Sequence, residues 1–351
     1  MTVTVGARRI GPGHPTFLVA EISANHNHDL DRALALVDAA ADAGVDAVKL
    51  QTYTADSMTL DVDRPEFRIG GGTAWDGDTL HRLYGEAATP YAWHAPLRDR
   101  ALDRGLEFFS TPFDGDAVDL LDDLGVDVHK VASFEVTDTG LLERIGATGK
   151  PVIMSTGMAT ETEIARALDA LDRAGSGPVI LLKCISAYPA PVEEMNLRAI
   201  GALATRFDRI TGLSDHTLGT EVAVAAVALG AHVIEKHITL ARADGGPDSA
   251  FSLEPTELGA LVASVRAVET ALGDGSIGPS PSEMASRPYR RSLFAVADIR
   301  AGEIFTTANV RAIRPGHGLE PHRLDEVLGR TASVAIERGE PLREDLLGPP
   351  A

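Results

Sequence analysis

The feature that most constrains the fold is a regular alternation, from residue 16 to residue 272, of short apolar runs with longer amphipathic stretches. A short apolar run predicts a strand buried on both faces, and an amphipathic stretch predicts a helix. The eight runs lie at residues 16–23, 46–53, 107–113, 128–135, 151–156, 179–186, 209–217 and 232–239. Eight strand–helix units, closed by a helical pattern at 254–273, predict an α/β fold of the TIM (β/α)8 barrel type.

The boundaries of this barrel follow from composition. Residues 274–288 are rich in Gly, Ser and Pro, which predicts a linker after a catalytic domain at 1–273. Residues 289–351 predict a second domain of short strands and turns, too small for a robust core of its own. The glycine-rich segment 61–78 follows the second strand, where a long loop is a candidate lid.

Charge and composition exclude several classes of molecule as binding partners. A net charge of −19 argues against nucleic acid and anionic membranes. The chain has no apolar run of about 18 residues and no signal-peptide pattern at its start. Its one cysteine, Cys184, excludes an internal disulfide, so we expect a cytoplasmic protein.

Polar side chains occur at the predicted carboxyl ends of nearly every strand, where TIM barrels build their active sites. Side chains two apart in a strand share a face, so Glu235 and His237 should point into the barrel mouth and Lys236 towards the helices. Lys130 and Ser133 break this alternation, so the strand must bulge or end between them if both lie in the site.

His216 and His237 end the last two predicted strands, where two imidazoles can hold one divalent cation. Because no thiolate is expected nearby, Mn²⁺ or Mg²⁺ fits better than structural Zn²⁺. The alternative is that each histidine is a hydrogen-bonded core residue.

Lys49, Lys130 and the neighbouring hydroxyl groups suit a small polyanion such as a phosphate ester. The negative net charge does not oppose this, because exposed charges are screened beyond about 8 Å at physiological salt. Pairing with a carboxylate is the alternative for these lysines, with Glu21 the candidate for Lys49. Glu235 is expected to pair with Lys236.

The segments "AEISANHNHDL", "VKLQTY", "STPFD", "HKVASFE", "PVIMSTGMA", "GLSDHTLG" and "VIEKHITL" occur in order and resemble the sialic acid synthase family. Residues 289–351, with "RRSLFA" and "NVRAIRPGHGL", resemble the antifreeze-protein-like (SAF) domain of those enzymes. The segment 242–255, "RADGGPDSAFSLEP", looks most like the branch that makes pseudaminic acid. The resemblance implies condensation of phosphoenolpyruvate with 2,4-diacetamido-2,4,6-trideoxy-L-altrose. The alternatives are N-acetylneuraminate or legionaminate synthesis, a plain metal-dependent aldolase, and a catalytically silent sugar-binding barrel.

The same resemblance implies a role for each matching residue. Glu21 would be the acid/base, with Lys49 and Lys130 also catalytic, and His216 and His237 would bind a divalent metal, Mn²⁺ first, with Mg²⁺ or Co²⁺ possible. Phosphoenolpyruvate would be held by Lys130, Thr111, Ser133, Ser155, Ser186 and Ser214, although Ser186 departs from the neuraminate pattern. The N-acetylated amino sugar would be held by Lys49, Gln51, Glu135, Tyr188 and Asp248. Arg314 would reach the sugar in the other subunit of a domain-swapped homodimer.

Overall fold

The structure, a computed structural model, describes residues 1–70 and 76–351. The candidate lid at 61–78 therefore lies partly outside the described residues. The chain divides into two compact units, Met1–Gly273 and Asp274–Ala351. Within the described ranges, no helix is long and apolar enough to cross a membrane.

The first unit is a closed barrel of eight parallel strands, which confirms the predicted fold and strand order. The strands are β1 Phe17–Glu21, β2 Ala47–Thr52, β3 Glu107–Pro112, β4 His129–Val131, β5 Val152–Ser155, β6 Val179–Cys184, β7 Ile210–Asp215 and β8 Val233–His237. Strand β8 pairs with β1 and closes the barrel, with His237 opposite Glu21. The ends of the first and last strands are therefore neighbours in the mouth.

A principal helix follows each strand and packs outside the barrel. These helices are α1 Leu30–Ala43, α2 His94–Asp103, α3 Gly115–Leu124, α4 Thr139–Gly146, α5 Glu161–Ala174, α6 Ala199–Phe207, α7 Glu221–Ala228 and α8 Pro255–Leu272. Helix α1 begins where Asp29 accepts hydrogen bonds from two backbone amides, and it ends at Gly44, whose φ of +85° is left-handed. The connection from β2 to α2 holds two further helices, Ala55–Met58 and Leu80–Ala87.

An antiparallel hairpin of Val3–Val5 and Arg8–Ile10 precedes the barrel. Its apolar side chains pack with inward-facing residues of the strands, among them Phe17, Phe109 and Val233. Since these residues come from the amino-terminal or middle parts of their strands, the hairpin closes the amino end of the barrel. The polar inward-facing residues lie at the opposite, carboxyl end.

The second unit holds two two-stranded antiparallel sheets, one of β9 Ser292–Ala295 with β10 Val310–Ile313, the other of β11 Arg330–Ala332 with β12 Leu347–Pro350. Turns form at residues 301–302 and 338–339, which agrees with a domain of short strands and turns. The unit has a buried apolar cluster of its own that includes Leu293, Phe305 and Leu342. A short helix, Pro281–Met284, lies inside the predicted linker.

Candidate active site

Four ionisable side chains meet inside the carboxyl end of the barrel, and we call them the mouth cluster: Glu21, Lys49, Lys130 and Glu235. Each is at most 4% exposed. They come from β1, β2, β4 and β8, and each faces inward by the alternation of its strand. Burial of four charges costs several kcal/mol per ion unless partners compensate. The geometry of the cluster must therefore supply those partners.

Two ammonium groups and two carboxylates balance one another in the mouth cluster. Lys49 forms an ion pair with Glu21, and its Nζ lies 3.7 Å from Oε1 of Glu235. The Nζ of Lys130 lies 3.6 Å from the same oxygen. Lys49 donates a hydrogen bond to Thr111 Oγ1 over 3.2 Å, and Lys130 donates one to Ser155 Oγ over 2.8 Å. Thr111 and Ser155, both predicted for the site, therefore lie beside the lysines.

The expected pairing of Glu235 with Lys236 is wrong. Lys236 faces the helix layer, as its alternation predicted, and donates hydrogen bonds of 2.7 Å to both Asp215 Oδ2 and the Thr217 carbonyl. Glu235 instead accepts a hydrogen bond from Ser214 Oγ over 3.1 Å, and its buried Oε2 has no hydrogen-bond partner among the described residues. Glu235 is a candidate functional residue that the sequence analysis left out, although its shared face with His237 already indicated the mouth.

The two carboxyl groups of the mouth cluster differ in acidity. Burial raises the pKa of Glu21 to about 7, with Lys49 opposing and Glu235 reinforcing the shift. Burial also acts on Glu235, but the two lysine ammonium groups outweigh it and hold the pKa of Glu235 below its usual range. Glu21 can therefore exchange a proton near neutral pH while Glu235 stays ionised. Two carboxyl groups with pKa values pushed apart are typical of acid–base catalysis.

His216 and His237 lie side by side at the ends of β7 and β8, each 6% exposed. Their ring centroids are 5.3 Å apart. The Nδ1 of His216 is 2.9 Å from the Ile185 carbonyl oxygen, which leaves its Nε2 for another ligand. The buried Nδ1 of His237 has no hydrogen-bond partner in the part of the chain that the structure describes, and it lies 3.8 Å from Asp248 Oδ2. Burial, with the nearby His216, holds the pKa of His237 well below its ordinary value, so this imidazole is neutral, as a metal ligand must be.

These two histidines fit a cation that takes its remaining ligands from water or substrate. Within residues 1–70 and 76–351, no group of three or more His, Cys, Asp and Glu side chains is placed to hold a metal. The expectation that no thiol lies nearby is wrong, because Cys184 Sγ is 3.9 Å from His216 Nδ1. The thiol approaches Nδ1 of His216, which already contacts the Ile185 carbonyl oxygen, so it does not compete for Nε2.

Serine residues from three strand ends meet beside Lys130. Strand β4 ends at Val131, and Ser133 begins a 3-10 turn, which explains the broken alternation after Lys130. Ser133 Oγ accepts a hydrogen bond of 3.0 Å from the amide of Gly157. A Cβ on Gly157 would collide with the hydroxyl groups of both Ser133 and Ser186, so the absence of a side chain there lets the two serines approach.

Three other predicted residues belong to the first unit. The Tyr188 ring packs on His216, with centroids 4.4 Å apart, and Gln51 is half-buried and opposite Thr111 in the strand register. Burial raises the pKa of the half-buried Glu135 to about 7. Arg314 is exposed on the second unit. The structure therefore places Tyr188 against a histidine and Gln51 beside Thr111.

A closed barrel whose mouth combines two buried lysines, a carboxyl group with a raised pKa and two neighbouring histidines is typical of an enzyme active site. The chain belongs to the NeuB family, which matches residues 36–277, and residues 290–348 match the SAF domain. It is similar to a pseudaminic acid synthase of Campylobacter jejuni (serotype O:23/36, strain 81-176), 44% identical over 93% of this chain and 95% of that protein.

The names of two further relatives refer to other products. An N,N'-diacetyllegionaminic acid synthase of Campylobacter jejuni (serotype O:2) is 38% identical over 94% of this chain and 99% of that protein. A crystal structure of N-acetylneuraminic acid synthetase from Leptospira borgpetersenii, in complex with citrate, matches with a TM-score of 0.73 and 34% identity. It covers 82% of this chain and 95% of that chain. The family resemblance seen in the sequence is confirmed.

Proposed function

We propose that the protein is a pseudaminic acid synthase, which condenses phosphoenolpyruvate with 2,4-diacetamido-2,4,6-trideoxy-L-altrose and releases phosphate. The observation that carries the proposal is the mouth cluster beside two neighbouring histidines. The similarity to a pseudaminic acid synthase at 44% identity supports the choice of sugar over the legionaminate relative at 38%.

Phosphoenolpyruvate would bind against Lys130. The ammonium of Lys130 and the hydroxyl groups of Ser133, Ser155 and Ser186 come from adjacent strand ends and can donate to phosphate or carboxylate oxygens. Thr111 and Ser214 would complete this subsite. Because the site is buried, such donors act in a low effective dielectric and stabilise anionic oxygens more strongly than they do in water.

His216 and His237 would hold a divalent cation, Mn²⁺ first and Mg²⁺ or Co²⁺ as alternatives. When bound, this cation would act as a Lewis acid towards the aldehyde of the open-chain sugar. Glu235 compensates both lysines, with its Oε1 3.7 Å from Lys49 Nζ and 3.6 Å from Lys130 Nζ. Lys49, Gln51, Glu135, Tyr188 and Asp248 would hold the sugar.

The reaction forms one carbon–carbon bond and one carbon–oxygen bond to water, and it breaks the carbon–oxygen bond to phosphate. The enol carbon of phosphoenolpyruvate attacks the aldehyde carbon, and positive charge develops on the carbon that carries the phosphate oxygen. Glu21 accepts a proton from the water that adds there and returns it to the aldehyde oxygen, which becomes a hydroxyl group. The tetrahedral intermediate then expels phosphate, which takes up the proton of the intermediate's other hydroxyl group as the ketone forms. With its pKa raised to about 7, Glu21 can both accept and return that proton near neutral pH.

The proposal also gives a role to Arg314, a residue of the second unit. Arg314 is exposed there, and it would contact the sugar held by a partner subunit in a domain-swapped homodimer. A guanidinium is suited to bridge sugar and carboxylate oxygens because its donors form a rigid fork. We further propose that this synthesis takes place in the cytoplasm.

The test is incubation of the protein with phosphoenolpyruvate, Mn²⁺ and a panel of sugars, followed by phosphate release and product mass. The panel holds the altrose derivative, the corresponding legionaminate precursor and N-acetylmannosamine. Highest kcat/KM with the altrose derivative supports the proposal. Preference for another sugar on the panel would assign the alternative synthase, and binding without phosphate release would assign a silent sugar-binding barrel.

A further inference from the structure

Two loops at the barrel mouth are bound to each other away from the mouth cluster. One is the turn Ser23–His26 with Asn27, which follows β1, and the other is the segment 245–252, which follows β8. Asn27 donates a hydrogen bond of 3.2 Å to the Gly245 carbonyl at the exposed edge of this contact. The β8 loop carries Asp248, which the proposed function places against the sugar.

Asn25 forms the buried half of the contact between the loops. Its side chain is 0% exposed, and its Nδ2 donates hydrogen bonds of 2.8 Å to both the Ile238 carbonyl and Ser252 Oγ. Ser252 Oγ in turn donates to the backbone carbonyl of Asp248 over 2.6 Å. The backbone at Asp248 is therefore held by a chain of hydrogen bonds that begins in the β1 loop.

Ser23 holds the side chain of Asp248. Its hydroxyl donates a hydrogen bond to Oδ2 of Asp248. This is the same oxygen that lies 3.8 Å from Nδ1 of His237. Ser23 also has a φ of +46°, a left-handed conformation that is costly for a residue with a Cβ. Strain of this kind at a buried polar contact is typical of functional sites.

Phe251 links the same loop to the histidines. Its ring centroid lies 5.0 Å from that of His237 and 6.2 Å from that of His216. A displaced β8 loop would therefore change both the Asp248 carboxylate and the apolar surface behind the two imidazoles. Ser23 and Asn25 donate three hydrogen bonds around this loop, to Asp248, the Ile238 carbonyl and Ser252, and Ser252 donates a fourth to the Asp248 carbonyl.

We propose that Ser23 and Asn25 are positioning residues for sugar recognition, which hold the Asp248 carboxylate in place beside His237 to receive the sugar. The proposal rests on the proposed function, because it assumes that Asp248 binds the sugar. Ser23 sets the direction of the carboxylate, and Asn25 sets the position of the loop backbone. Neither residue needs to touch a substrate, so both act through Asp248.

The decisive variant is Ser23→Gly, because glycine accepts the left-handed φ without strain while removing the hydroxyl. We expect a melting temperature close to that of the wild type, because relief of the left-handed strain offsets the lost hydrogen bond. The KM for the sugar should rise about tenfold or more, the usual effect of losing a hydrogen bond to a charged group. The KM for phosphoenolpyruvate should stay within about twofold. A purely structural residue would lower the melting temperature without a selective rise in the sugar KM, and an unchanged sugar KM would overturn the proposal.

A double-mutant cycle with Asp248→Asn tests whether Ser23 acts through Asp248. In the Asp248→Asn background, Ser23→Gly should cause no further rise in sugar KM. Additive effects would overturn the proposal. Asn25→Ser should raise the sugar KM as Ser23→Gly does, whereas Asn27→Gly, which removes the exposed hydrogen bond and keeps the left-handed φ of +50°, should leave it unchanged.

Calorimetric titration of the enzyme with the altrose derivative alone gives a readout that does not need turnover. If the wild type makes no product from any sugar but binds this one, and Ser23→Gly weakens that binding, the synthase assignment fails and the positioning role stands. If Asp248→Asn weakens sugar binding and Ser23→Gly does not, the positioning role fails and the synthase assignment stands. If Asp248→Asn leaves sugar binding unchanged, the assignment of Asp248 fails, and the roles of Ser23 and Asn25 fail with it.

Discussion

Oε1 of Glu235 lies 3.6 Å from Nζ of Lys130, and neither side chain is more than 5% exposed. The same carboxylate oxygen also faces the Lys49 ammonium at 3.7 Å. One buried carboxylate therefore compensates two cations that would otherwise repel each other, and it does so beside the proposed phosphate subsite.

Glu235→Gln should lower both stability and activity. Removal of one partner from a buried ion pair costs about 3–5 kcal/mol, because the remaining charges lose compensation. Urea denaturation would measure this loss, and kcat/KM should fall about 100-fold as the lysines shift. The control is Glu161→Gln, which breaks an exposed ion pair with Arg206 and should cost less than about 1 kcal/mol. Equal stability losses in the two variants would contradict this account.

His216→Ala and His237→Ala should each weaken Mn²⁺ binding at least about tenfold, since even partners outside the first coordination sphere have effects of that size. Electron paramagnetic resonance of free Mn²⁺ measures this affinity without turnover. His322→Ala removes an exposed imidazole on the second unit and should leave the affinity unchanged. Wild-type Mn²⁺ affinity in both barrel variants would refute the metal assignment.

The pH profile of kcat/KM should show an acid limb near pH 7. Burial raises the pKa of Glu21 to about 7, and a general base must be deprotonated, so the rate should fall as the pH drops below that value. Glu21→Gln should lower kcat about 100-fold or more and abolish the limb. The measurement is kcat/KM between pH 5.5 and 8.5. If the acid limb persists in Glu21→Gln, it belongs to another group.

Glu135 should make the protein less stable as the pH rises. Burial raises its pKa from 4.5 to about 7, so between these values the folded state keeps a proton that the unfolded state has lost. This contribution to the free energy of unfolding is fully present below pH 4.5 and is lost as the pH rises through 7. In denaturation series at pH 5, 6, 7 and 8, the free energy of unfolding of the Glu135→Gln variant should fall less steeply with pH than that of the wild type. Parallel curves would contradict the shift.

The strands and most inward-facing residues could be predicted from the sequence because parallel barrel strands are apolar on both faces. Any ionisable residue inside such a run, as Lys49 is in "AVKLQT", marks either the mouth or a buried pair. The alternation of side chains then correctly predicted that Glu235 points into the barrel mouth and Lys236 towards the helices. It did not identify their partners, because Asp215 and Lys130 come from other strands and the pairing depends on strand register.

The conformation of the loops could not be predicted from the sequence for a related reason. Nothing in "EISANHN" indicates that Ser23 takes a left-handed φ or that its hydroxyl reaches Asp248, 225 positions away. The approach of Cys184 to His216 also depends on how far β6 and β7 are staggered around the barrel. Such contacts are set by tertiary structure, and local propensity carries no information about them.

The amino-terminal hairpin has a kinetic consequence. Because the hairpin closes the amino end of the barrel, both substrates must enter through the carboxyl end. Phosphoenolpyruvate, which would bind at Lys130 and Ser155, has to enter before the larger sugar blocks that opening. We expect compulsory-order kinetics, with the three-carbon acid loading first and the nine-carbon acid leaving before phosphate can escape.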